Sequence, residues 1–106
     1  MLTIVETPTF QRMWIDYWTE DERGEFASYL AHTPDAGDVV PNSGGVRKVR
    51  WSRSGAGKRG GVRVVYFNRL ADGEVWLLLI YSKSVKDNVP AELLKLCKQE
   101  VNDAHD

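Results

Sequence analysis

The sequence predicts one α+β domain, made of an N-terminal strand and helical hairpin, a three-stranded antiparallel meander and a C-terminal helix. Two features lead to this prediction. Apolar residues recur at helical spacing in the first third of the chain, and they form short strand-like runs between residues 46 and 82. The 106 residues, 42% of them hydrophobic, suffice for one core and leave little room for a second. We therefore expect a single domain over residues 1–106.

The first third of the chain predicts one strand and two helices. Residues 2–6 are strand-like, and Thr7 followed by Pro8 is typical of a helix start. Thr19 and Glu22 have the spacing of a capping box, which begins a second helix. The first helix carries its apolar residues on one face: Phe10, Met13, Trp14, Tyr17 and Trp18. The inward residues of the second would be Phe26, Tyr29 and Leu30.

The rest of the chain predicts a loop, three strands and a helix. Residues 34–45 are rich in Pro, Gly, Asp and Asn, which favours a loop. Strand-like runs follow at 46–52, 61–69 and 75–82, with turn residues at 71–73 between the last two. A final helix over about 90–101 would turn four residues inward: Leu93, Leu94, Cys97 and Val101. Together these runs predict a largely antiparallel sheet with helices packed against it.

Charge is strongly segregated along the chain, although the net charge is only −1. Residues 1–38 hold eight acids and two bases, whereas residues 39–71 hold eight bases and no acid. Such a density of like charge indicates a polyanionic partner. The alternative is that the acidic helices neutralise the basic strands within the fold. Surface ion pairs of that kind contribute little to stability.

Several classes of site are disfavoured. Cys97 is the single cysteine, and His32 and His105 have no partners at ligand spacing, so we expect no metal and no other cofactor. Residues 55–60 match GxGxxG, but a strand follows them where a dinucleotide fold needs a helix, and Arg59 stands where a P-loop needs Ser or Thr. We expect a hairpin loop there, in which Lys58 and Arg59 reach for phosphate. The chain has no apolar run long enough to cross a membrane and no signal-peptide pattern, so a cytoplasmic location is expected.

One constellation of side chains does suggest chemistry. Alternation places Lys48 and Arg50 on one face of their strand, and strand pairing would bring Arg63 beside them. The full predicted set is Lys48, Arg50, Arg63, Tyr66, Tyr81 and Lys83. Cations of this kind stabilise charge developing on a phosphate, a lysine or tyrosine can move protons, and aromatic rings can stack on unpaired bases. The pattern therefore predicts metal-independent phosphodiester cleavage, with a passive binding platform or a solvated surface without a ligand as the alternatives.

Three short stretches resemble the RelE/ParE toxin superfamily, and among its branches the HigB one in particular. They are residues 45–51 (GVRKVRW), 57–66 (GKRGGVRVVY) and 79–83 (LIYSK). The resemblance implies the toxin of a type II toxin–antitoxin pair, an endoribonuclease that cuts messenger RNA on the ribosome through attack of the 2′-hydroxyl. It also implies a cognate antitoxin, expected to be a HigA-like helix-turn-helix protein.

The resemblance assigns roles to residues of this chain. By position it matches Lys48, Arg50, Arg63 and Lys83 to basic residues of the family, and with Tyr81 from the constellation above they form the expected catalytic set. The expected RNA-binding set, taken from the basic segment and its strands, is Arg47, Arg53, Lys58, Arg59 and Tyr66. Two other functions stay open for the same fold: a ParE-like poison of DNA gyrase, and an RNA-binding module without catalytic activity.

Overall fold

The computed structural model describes residues 2–51 and 61–82, together with residues 95, 97–99 and 101. Within these residues five strands form one sheet: β1 (Thr3–Glu6), β2 (Asp38–Val39), β3 (Arg47–Trp51), β4 (Val62–Arg69) and β5 (Glu74–Ser82). Their spatial order is β1-β5-β4-β3-β2. The last three strands form the predicted antiparallel meander, and β1 joins β5 in parallel. The α+β fold class is therefore confirmed.

The helical hairpin begins where the capping residues indicate. Helix α1 (Pro8–Met13) starts at Thr7, whose hydroxyl accepts the amide hydrogen of Phe10. Helix α2 (Glu20–His32) starts at a complete capping box: Thr19 Oγ1 accepts from the Glu22 amide at 3.2 Å, and Glu22 Oε1 accepts from the Thr19 amide at 2.9 Å. Two orphan donors at the helix N-terminus are satisfied in this way.

The first helix is shorter than its apolar pattern predicts. After Met13 the backbone tightens into a 3₁₀ turn over Trp14–Asp16, so residues 10–18 are not one continuous helical face. Trp14 and Trp18 are nevertheless buried, because the tightened turn carries them onto the same core. The apolar spacing predicted the burial correctly and the continuity of the helix wrongly.

The sheet buries a core on each of its faces. Helices α1 and α2 cover one face, where Phe10, Phe26 and Leu30 pack on alternate residues of β3, β4 and β5. On the other face Cys97 and Val101 pack against Val65. Residues 95, 97–99 and 101 are helical, in agreement with the predicted C-terminal helix, while Leu93 and Leu94 lie outside the described residues.

Two further departures concern the strands. The predicted loop over 34–45 contains the short strand β2, which pairs with β3 and adds an edge strand to the sheet. The β4–β5 ladder has a register shift: Val65 pairs with Leu79 but Tyr66 pairs with Leu77, so Leu78 is an extra residue in β5. In the described part of the chain, no helix has the length and apolar character needed to cross a lipid bilayer.

Candidate functional site

A row of polar side chains crosses three strands on the face opposite α1 and α2. Arg50 on β3 pairs directly with Arg63 on β4, and Arg63 pairs directly with Tyr81 on β5. Side chains at directly opposite positions have Cβ atoms about 4.5–5.5 Å apart. Lys48 lies on the same face, two residues before Arg50. We call these four residues the cationic row. The structure thus brings together four of the five residues predicted to be catalytic.

The members of the cationic row differ in their exposure to solvent. Arg50 is exposed, Lys48 and Arg63 are half-buried, and Tyr81 is only 5% exposed. The acids in the first turn of α2 belong to the layer on the other side of the sheet. The sheet therefore lies between those acids and the side chains of Lys48, Arg50 and Arg63. Arg50 is thus the most accessible member of the row and Tyr81 the least accessible.

Tyr81 has an unusual environment for a tyrosine hydroxyl. Its ring packs in the second core with Val65 and Cys97, and its hydroxyl is buried with no hydrogen-bond partner among the described residues. Burial raises the pKa of Tyr81, and the positive charge of Arg63 opposes that increase only in part. The phenol is therefore protonated at neutral pH, and no described group accepts its O–H.

Tyr66 and Arg47 belong to the opposite face, and the burial of Tyr66 there corrects its predicted stacking role. The Tyr66 ring is fully buried under α1 and α2, so it offers no surface for stacking on a base. Its hydroxyl donates to Pro34 O at 2.7 Å and accepts from the Gly37 amide at 2.9 Å. Arg47 donates through Nη1 to Gly37 O at 2.6 Å. Both side chains anchor the segment that leads into β2.

Gly37 lets the backbone of that segment lie very close to β3. A Cβ atom at Gly37 would lie 2.8 Å from the carbonyl oxygen of Lys48 and 3.0 Å from the ring of Tyr66. Only glycine permits the backbone to approach β3 this closely. The result is that β2 starts directly at the edge of β3, next to the cationic row.

Asp38 is a neighbour of the row that the sequence did not reveal. It is exposed on β2 and pairs directly with Lys48, which places a carboxylate at the β2 end of the row. In the sequence it is the last of the acids that precede the basic segment. The sequence did not predict strand β2, because residues 34–45 do not alternate between apolar and polar residues.

Four predicted residues cannot be placed, since Lys83, Arg53, Lys58 and Arg59 lie outside the described residues, as does the glycine-rich segment 55–60. Across residues 2–51 and 61–82 and the described positions of the C-terminal helix, no three His, Cys, Asp or Glu side chains are grouped at metal-binding distance.

Comparison with known proteins identifies the fold. No protein-family model matches the chain. Among solved structures, it is similar to the E. coli toxin RelE, determined as a double arginine-to-alanine mutant in the free state. The TM-score is 0.59 at 11% sequence identity, over 81% of this chain and 87% of the RelE chain. The chain has a RelE-like fold. At this identity the similarity concerns the arrangement of strands and helices, and the chemistry must be argued from the residues themselves.

Proposed function

We propose that this RelE-like protein is the toxin of a type II toxin–antitoxin system and an endoribonuclease that cuts messenger RNA on the ribosome. The observation that carries the proposal is the cationic row, in which Arg50, Arg63 and the protonated Tyr81 are direct cross-strand neighbours. Two guanidinium groups and a phenol on one sheet face suit a phosphodiester whose charge increases during cleavage.

In the proposed reaction the 2′-hydroxyl of the RNA loses its proton to solvent as it attacks the adjacent phosphorus, and solvent later returns a proton to Tyr81. The new bond gives a 2′,3′-cyclic phosphate, and the bond to the 5′-oxygen of the next nucleotide breaks. Arg50 and Arg63 would stabilise the negative charge on the non-bridging oxygens. Tyr81, kept protonated by its burial, would donate a proton to the leaving 5′-oxygen. The protein needs no metal for these steps.

Lysines complete the proposed site. Lys48 lies beside the arginines on the same face and would hold the RNA backbone in register. Lys83, two positions after Tyr81 in the sequence, remains part of the proposed catalytic set, and Arg53, Lys58 and Arg59 remain proposed RNA contacts. Because the site is cationic, binding to the ribosome and its mRNA should weaken steeply with salt.

The remaining parts of the proposal concern branch, partner and location. The lysine and glycine rich segment 57–61 supports membership of the HigB branch. A cognate antitoxin, HigA-like with a helix-turn-helix, would hold the toxin inactive in the cytoplasm. The gyrase-poison and binding-module functions are the outcomes that compete with cleavage.

The test is inducible expression in a bacterium, with mRNA 5′ ends mapped after induction. Wild type should arrest growth and cut translated messages, and Arg63→Ala should do neither while remaining folded. Arg12→Ala is the matched control, since it also removes one guanidinium, from an exposed position on α1. Growth arrest with intact messages would move the function to gyrase or another target. If the folded wild-type protein has no effect on growth, the non-catalytic RNA-binding module becomes the leading function.

A further inference from the structure

The outer edge of β1 carries backbone groups that the sheet does not use. Among the described residues, β1 is the terminal strand of the sheet on the β5 side. The amides of Thr3 and Thr7 donate to Gly73 O at 2.8 Å and to Leu77 O at 3.1 Å. Because successive residues of a strand point their backbone groups to opposite sides, the N–H and C=O groups of Ile4 and Glu6 point away from β5. An unpaired edge of this kind is a template for another strand.

This edge borders a shallow groove that is open to solvent. The groove has a volume of about 560 Å³, and β1 forms one side of it while α2 forms the other. From α2 the lining residues are Glu20, Arg23, Gly24 and Ala27, at the spacing of one helical face. An extended segment added to β1 would therefore be enclosed by a helix on one side.

Gly24 gives the groove its width. It lies in the middle of α2, where glycine is a poor helix former relative to alanine. A Cβ atom built at Gly24 meets nothing within 4 Å, so packing among the described residues does not require glycine there. Its missing side chain leaves open space on the side of α2 that lines the groove. Side chains of a strand added to β1 could occupy this space.

The charged side chains of the groove form an ion-pair cluster with a net negative charge. Arg23 donates through Nε to Glu6 Oε2 at 2.8 Å and through Nη1 to Glu20 Oε1 at 3.0 Å, and its guanidinium lies 4.3 Å from the centroid of the Trp14 ring. Two carboxylates thus share one guanidinium. The first turn of α2, which begins at Glu20, adds two further acids, Asp21 and Glu22. A segment bearing lysine or arginine would be attracted and an acidic one repelled.

We propose that the groove between β1 and α2 binds an extended, basic segment of a partner protein as an added β-strand. Backbone hydrogen bonds to Ile4 and Glu6 would supply affinity, and the side chains of the segment would fill the space opposite Gly24. The site lies at the β1 edge of the sheet, beside α2, and its occupation does not depend on the proposed nuclease activity.

The test uses the full-length protein and a fluorescently labelled eight-residue peptide of alternating lysine and valine. A peptide of alternating glutamate and valine is the charge control. The variants are Gly24→Trp, which places a ring in the groove, and Gly24→Ala, which adds one methyl group. Both replace glycine by a better helix former, so both should keep a Tm equal to or above that of wild type. The measurements are anisotropy titrations and amide hydrogen exchange with and without peptide.

The expected result is binding of the lysine peptide at least tenfold tighter than the glutamate peptide. Gly24→Trp should weaken that binding at least tenfold, Gly24→Ala should change it less than threefold, and the amides of Ile4 and Glu6 should gain protection. Equal affinity of wild type and Gly24→Trp would overturn the proposal, as would unchanged exchange at both amides. Concentration-dependent dimerisation that Gly24→Trp abolishes would also overturn it, since a second copy of the chain would then be the occupant.

Discussion

Removing the hydroxyl of Tyr81 should stabilise the protein and impair its proposed chemistry. The group is buried beside Arg63 without a hydrogen-bond partner among the described residues. Burying a hydroxyl without such a partner costs roughly 1–3 kcal/mol in proteins. Tyr81→Phe keeps the ring in the second core and deletes only the oxygen. We therefore expect the free energy of unfolding to rise by up to about 1–3 kcal/mol.

The same substitution at Tyr66 is the matched control. There the hydroxyl has two partners, Pro34 O and the Gly37 amide. Tyr66→Phe leaves a buried N–H without its acceptor, which costs about 1–3 kcal/mol. For a domain of this size, 1 kcal/mol corresponds to a change in Tm of about 4–5 °C. Thermal and urea unfolding should thus move in opposite directions for the two variants.

Cleavage assays complete the comparison. If Tyr81 donates a proton to the leaving oxygen, Tyr81→Phe should lower the rate of mRNA cleavage by about 10²–10⁴-fold, the usual contribution of a general acid. Tyr66→Phe should retain the wild-type rate per folded molecule. A loss of stability in Tyr81→Phe would show that its hydroxyl has a favourable partner in the folded protein. That result would refute the reasoning about this site.

Three further predictions test the electrostatics and the helix start. Arg50→Ala should reduce the slope of log affinity for RNA against log salt by about 1, whereas Arg47→Ala should lower stability without changing that slope, as measured in salt titrations. Burial raises the pKa of both Tyr66 and Tyr81, so the folded state holds these protons more tightly than the unfolded state. The contribution of these two tyrosines to stability should be complete below pH about 10, and it should fall as the pH rises through their higher folded-state pKa values. Alkaline denaturation curves should show a smaller loss when both tyrosines are replaced by phenylalanine. Thr19→Ala should cost about 0.5–2 kcal/mol in urea unfolding, because it removes the hydroxyl half of the capping box, and an unchanged midpoint would contradict this role.

Local signals in the sequence predicted most of the elements and half of the site. Hydroxyl caps, turn residues and apolar periodicity depend on neighbours within a few residues, so they are visible in the chain itself. The same holds for Lys48 and Arg50, which share a face because they are two residues apart. The alternation of side chains along a strand also separates Arg63 from Tyr66. Because they are three residues apart on a regular strand, their side chains must lie on opposite faces. The predicted set overlooked this rule, and the structure corrects it.

What the sequence by itself determined is the α+β arrangement and the presence of a basic strand pair. The sequence also proposed Tyr81 as a member of this site, but only the tertiary structure shows how it comes to face Arg63. Val75 and Leu77 face α1 and α2, so regular alternation along β5 would send Tyr81 to that face as well. The extra residue Leu78 shifts the register by one and turns Tyr81 toward Arg63. Such a bulge depends on how two distant strands pair, and no local pattern in either strand specifies it.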